Sequence, residues 1–104
     1  MLYMMVATHA PESCPALNPK YRAQTLAWFE KINALYDKLG IKALGFWTDH
    51  PSHTVYSVFD APSIEANMAL MMDPIMHAML EFQSMRIFPV MTGEETYKLI
   101  KQMP

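Results

Sequence analysis

The chain opens with Leu2-Tyr3-Met4-Met5-Val6-Ala7, six consecutive apolar residues closed by Thr8-His9. The run is too short for an ordinary helix and far too short to span a membrane. It reads as a strand without a polar side, and such a strand must be covered on both faces. Helices of the same chain are expected on one face and a second copy of the protein on the other.

The composition agrees with that expectation. A chain of 104 residues makes one domain, residues 1-104, around a single core. Its apolar fraction is 52% and its charged fraction 17%. A small domain has too much surface to hide that surplus, which points to a buried interface or an apolar cavity. With a net charge of −2 and scattered basic residues, neither nucleic acid nor an anionic membrane is an expected partner. Cys14 is the single cysteine. No internal disulfide can form, which fits a reducing, cytoplasmic setting. No targeting segment is read at the N-terminus. Eleven methionines suit the filling of irregular gaps, a Met-rich copper tract being the sharper alternative.

A loop, Ala10 to Leu17, follows the strand and is stiffened by Pro11 and Pro15. Asn18-Pro19 then starts a helix as cap and first residue. Leu26, Phe29, Ile32, Leu35 or Tyr36, and Leu39 give it one apolar face, and Gly40 stops it. Ile41 to Thr48 and His53 to Asp60 read as a hairpin around the turn Asp49-His50-Pro51-Ser52. Ser63 caps a second helix, apolar nearly all round, which Asp73-Pro74 kinks or restarts. Met85 to Val90 is the last strand, placed at an edge by Pro89. Thr92-Gly93-Glu94-Glu95 has the form of a capping box and starts a tail helix, Glu94 to Lys101.

The order β-α-β-β-α-β is the split pattern of the ferredoxin-like fold, an α+β architecture. Its antiparallel sheet runs 4-1-3-2 with both helices on one face. In pattern and length the chain resembles the dimeric α+β barrel superfamily. The opening strand, the Tyr21–Leu39 helix, the Trp47–Phe59 hairpin, the helix containing Asp73-Pro74 and the Arg86–Val90 edge strand carry the likeness. The resemblance implies a homodimer formed through the open face of the sheet. Relatives such as antibiotic-biosynthesis monooxygenases and muconolactone isomerase imply a pocket for a flat apolar molecule, although fold alone does not fix function.

In this topology His9, Asp49, His50, His53, His77, Glu81 and Cys14 are all expected at one rim of the barrel. His9 and His53 lie on neighbouring strands and are the pair expected to meet. Neutral imidazoles with a carboxylate or thiolate suit iron, copper or zinc, so His9, His50, His53, His77, Glu81 and Cys14 are candidate metal ligands. Without a metal, His9 or His53 can move a proton near neutral pH while Tyr56 or Trp47 orients the ligand. Cofactor-free oxygenation or isomerisation is the chemistry then expected, with His9, His53 and Tyr56 as catalytic candidates. A thiol so close to a helix start is also a candidate nucleophile or persulfide carrier.

Between sheet and helices, Tyr3, Phe29, Trp47, Met68, Met72, Met76 and Phe88 are the candidate ligand-binding residues, with Met71 and Met79 beside them. Alternation puts Tyr56 and Val58 on one side of their strand and Val55, Ser57 and Phe59 on the other, leaving open which side meets the helices. A structural or sensory module without chemistry is the third reading. No phosphate loop, nucleophile elbow, metalloprotease helix or dinucleotide fingerprint occurs in the chain.

Overall fold

A computed structural model describes residues 1–104. The elements are β1 (Leu2–Thr8), α1 (Pro19–Leu39), β2 (Lys42–Asp49), β3 (Thr54–Asp60), α2 (Ile64–Met72), α3 (Pro74–Met79), β4 (Ser84–Pro89) and α4 (Gly93–Lys101). A short 3₁₀ turn, Pro11–Ser13, lies between β1 and α1. The four strands form one antiparallel sheet in the order β2-β3-β1-β4, which is the expected 4-1-3-2 read from its other edge. The fold is ferredoxin-like α+β. No helix is long and apolar enough to cross a membrane.

Local chemistry explains the element ends. The Asn18 side chain accepts a hydrogen bond from the Tyr21 amide at 3.2 Å, and Pro19 opens α1. Gly40 closes the helix in the left-handed region, φ 70°, where its amide reaches the Tyr36 and Asp37 carbonyls. Ser63 caps α2 through the Ala66 amide. Extended backbone at Asp73 ends α2, and its carboxylate caps α3 through the Ile75 amide at 3.0 Å. The second helix is therefore two helices meeting at Asp73-Pro74. Thr92 and Glu95 complete the capping box of α4.

The central strand β1 pairs with β3 on one side and β4 on the other. Tyr3, Met5 and Ala7 point towards the helices and are buried. Leu2, Met4 and Val6 point the other way and are half-buried, with Val58, Tyr56, Phe88 and Arg86 beside them across the sheet. A bulge between Ala43 and Gly45 shifts β2 by one residue. It turns Phe46 to the helix side and Trp47 to the open side, where a Cβ at Gly45 would overlap the Trp47 ring.

The core sits between sheet and helices. Phe59 stacks on Tyr3 at 5.6 Å and lies 6.4 Å from Tyr36. The buried face of α1 is Trp28, Ile32 and Tyr36. Ile32 and Tyr36 belong to the expected face, and Leu35 and Leu39 pack beside them, but Trp28 takes the inward place expected of Leu26 and Phe29, which are about half exposed. Trp28 wins because its ring can reach α3, where its indole N–H donates to the Met76 sulfur at 3.2 Å. From α2 only Ala66 and Leu70 are buried.

The helix α4 stands apart. None of its residues is buried, and it makes no extended contact with another element. Tyr97, Leu99, Ile100 and Met103 present an exposed apolar side. The chain is correspondingly long, 55 × 32 × 17 Å, with a radius of gyration of 15.5 Å against the roughly 13 Å usual at this length.

Phe59 is 1% exposed and touches both Tyr3 and Tyr36. Phe59→Ala is expected to destabilise the protein by about 3–5 kcal/mol, read from the urea midpoint at unchanged slope.

Candidate functional site

The core is not filled evenly. At the Tyr3 end of β1, aromatic rings pack solidly. At its other end a cavity of about 160 Å³ remains between sheet and helices. Met5 and Ala7 form its floor, Thr25, Trp28 and Phe29 one wall, and Phe46, Val55, Met79 and Met85 most of the rest. Its polar groups gather where β1, the Ala10–Leu17 loop and the β2–β3 turn meet: His9, Cys14, Asp49, His50, His53 and Gln83.

Each of these groups is positioned by backbone. His9 follows the last residue of β1, and its amide donates to the His53 carbonyl at 3.2 Å. His53 takes the left-handed conformation, φ 52°, the single non-glycine residue to do so. Few side-chain-bearing residues adopt it, and such backbone recurs at functional sites. The loop carrying Cys14 is held by Arg22, which donates to the Pro15 and Ala16 carbonyls at 3.0 and 2.9 Å. The Cys14 carbonyl in turn accepts from the Leu17 and Asn18 amides. Cys14 itself is 3% exposed.

The result is a compact constellation. The His9 and His53 rings meet edge to face, centroids 5.2 Å apart, and Phe82 lies 6.0 Å from His9. One ligating atom from each of His9, Cys14 and His53 lies within 4.8 Å of the others. Both ring nitrogens of His9 and Nδ1 of His53 are buried without a hydrogen-bond partner. Burial holds the pKa of His9 below its usual 6.5, Gln83 offsets part of the effect, and His53 and His50 depress it further by like charge.

The sequence-derived candidates divide sharply. His9, His53 and Cys14 converge, and His50 lies on the same wall. His77 is exposed and outside the cavity, and it is not a member of the cluster. Glu81 is also exposed: it accepts from Gln24 at 2.8 Å and pairs with Lys20 at 3.8 Å, fastening α1 to the end of α3. Of the expected ligand-binding side chains, Phe29 lines the cavity. Tyr3 and Met76 are consumed by the core, and Met68 and Met72 are exposed on α2, 55% and 71%. Tyr56, Trp47 and Phe88 project from the open face, away from the cavity. Tyr56 therefore cannot touch a molecule held there, and neither Tyr56 nor Trp47 can orient one. Cys14, buried against the imidazoles, is not presented as an exposed nucleophile.

Gln83, Phe82, Met85 and Phe46 were not singled out from sequence. Arg86 marks the outward face of β4 and would have found its inward neighbour Met85. Phe46 carries no such mark, because the bulge between Ala43 and Gly45 sets its face.

In metal-free protein the His9 imidazole is expected to titrate below 6.5, followed through its ring-carbon protons by NMR. The sign follows from the depressed value: the unfolded chain takes the proton first on acidification, so stability supplied by neutral His9 is lost as pH falls below 6.5.

Comparison with solved structures finds the same fold at low identity. An antibiotic biosynthesis monooxygenase superposes with a TM-score of 0.53 at 12% identity, covering 88% of this chain and 100% of that one. A protein from Agrobacterium tumefaciens gives 0.50 at 17% identity, covering 89% and 96%. An uncharacterised NIPSNAP domain protein from Burkholderia xenovorans gives 0.48 at 14% identity, covering 89% and 97%. No curated protein matches the chain. The sequence pattern of the family described as Domain of unknown function (DUF3303) matches residues 1–104. The chain is a member of that family.

Proposed function

We propose that this chain is a homodimeric small-molecule-binding protein that takes one small, largely apolar compound into the cavity and handles a proton on it at the His9/His53 end. The observation that carries the reading is an apolar cavity ending in two imidazoles whose buried nitrogens lack partners. At about 160 Å³ it is close in size to an engineered apolar cavity of roughly 150 Å³ in another protein that holds benzene. A single substituted ring is therefore the fitting size.

The chemistry follows from the charge state. Burial and two neighbouring imidazoles keep His9 neutral, which is the form that accepts a proton. An acidic C–H or O–H on the bound ring gives its proton to His9. The imidazolium so formed faces the new anion in a site with few competing dipoles, while His53 can donate from a ring N–H. Deprotonation of this kind begins both cofactor-free oxygenation and isomerisation by proton shuttling. The solved monooxygenase of the same fold lends the first of these weight. Monocyclic phenols and quinols are the compounds to screen, by binding and by oxygen uptake or isomer formation. For a compound that turns over, His9→Gln is expected to lower the rate by about 10²–10⁴-fold with binding retained, and Tyr56→Phe to leave it unchanged. Parent-like turnover by a His9→Gln/His53→Gln double variant would remove the assignment.

The dimer rests on two unpartnered apolar surfaces. One is the open face of the sheet, with Leu2, Met4, Val6, Val58 and Phe88 half-buried and Trp47 and Tyr56 exposed. The other is the apolar side of α4, a nine-residue helix too short to hold its shape unaided. A second copy covers both. Light scattering at micromolar concentration is expected to give twice the 11.9 kDa of one chain. Met4→Glu, in the middle of the open face, is expected to give single chains. A parent protein of single-chain mass would dismiss the dimer.

A further inference from the structure

We infer that His9, Cys14 and His53 form a site for one thiophilic transition-metal ion, zinc(II) or copper(I), with a further coordination position opening into the cavity. Three segments far apart in sequence deliver these donors to one point. They are the end of β1, the proline-stiffened loop and the β2–β3 turn. Chance gathering of polar groups at a rim leaves them in water. Here the thiol is 3% exposed, and three of the four imidazole nitrogens are buried without a formed hydrogen bond, the Gln83 side chain alone standing close to His9. Buried polar atoms without partners are costly and uncommon. A bound ion satisfies a nitrogen of each imidazole and the sulfur at once.

The donor set selects the ion. It contains no carboxylate, which sets magnesium, calcium and manganese aside. A thiolate with two imidazoles suits zinc and copper. In a tetrahedral zinc site the edges between such donors are about 3.3–3.6 Å. The present atoms lie within 4.8 Å of one another, so side-chain rotation of about 1 Å closes the cage. The backbone already holds the carriers: His9 and His53 share a main-chain hydrogen bond, and Arg22 anchors the carbonyls after Cys14. His50 and Asp49 lie on the same wall but outside the group of three. With the ion bound, His9 is a ligand instead of a base. The proton transfer proposed above then belongs to the metal-free protein, and the metal site stands or falls without it.

The test uses the metal alone. Full-length protein made without a histidine tag, reduced and stripped with chelator, is titrated with cobalt(II) and then zinc(II). A parallel arm uses copper(I) against a coloured chelator. The expected result is one equivalent bound. Cobalt(II) should show a thiolate-to-metal charge-transfer band with tetrahedral intensity, displaced by zinc. Cys14→Ser should abolish that band, and His9→Gln or His53→Gln should weaken binding by more than about 100-fold, beyond the loss of an outer partner. His77→Gln, exposed and remote from the cluster, should bind like the parent. Should Cys14→Ser fail to fold, alkylation of the parent decides the question. Cys14 is the single thiol, and zinc or copper should slow its reaction at least tenfold. A cobalt spectrum like that of the aqueous ion, with no stoichiometric uptake in either arm and no protection of Cys14, overturns the site.

Discussion

The pairing of β1 with both β3 and β4 is the constraint from which the rest of the molecule follows. It fixes which residues of the apolar opening run enter the core and which face outwards, because a shift of one residue would exchange the two sets. It also sets where the strand ends relative to its neighbours. With Thr8 opposite Thr54 and the His9 amide bonded to the His53 carbonyl, two histidines more than forty positions apart are tied at the backbone before any side-chain interaction is considered. The site is a consequence of register.

Packing along that strand is graded. One end is dense with aromatic rings, and the Tyr36 hydroxyl there has its pKa raised to about 12 by burial alone. The other end trades contact for space. Interiors are normally packed to the density of organic crystals, so a cavity lined by Met5, Phe29, Phe46 and Met85 forgoes dispersion contacts that larger side chains would recover. The polar groups at its end forgo hydrogen bonds as well. Both losses fall in one place, and the left-handed backbone of His53 adds a third. Solid packing at the Tyr3 end carries the stability that such a region does without.

Much of this was legible in the residues. Asn18-Pro19, Gly40, Ser63, Asp73-Pro74 and Thr92 mark their element ends because caps and prolines act on the few atoms next to them. The strand order followed from element order and handedness. The meeting of His9 with His53 followed from topology, which put Cys14 at the same rim without selecting it over His50, His77 or Glu81. What sequence could not supply was orientation. Methionines at Met68 and Met72 look like core, yet α2 turns only Ala66 and Leu70 inwards, since a helix that is apolar all round carries no mark of its buried side. Trp47 and Phe46 exchange faces because of one bulge, which depends on how two strands meet. His77 and Glu81 share the expected end of the fold but not the point of convergence. Position along an axis is readable from connectivity, whereas rotation about it depends on packing.

The bulge in β2 has an optical consequence. By sending Phe46 inwards it leaves the two indoles of the protein on opposite sides of one sheet. Trp28 is enclosed and bonded to the Met76 thioether, while Trp47 lies flat over Gly45 on the outer side, 56% exposed. Their emission separates by colour, a blue component from the enclosed ring and a red one from the wet ring. The chain thus carries its own pair of reporters: the blue one adjoins the cavity, and the red one responds to whatever settles on the sheet.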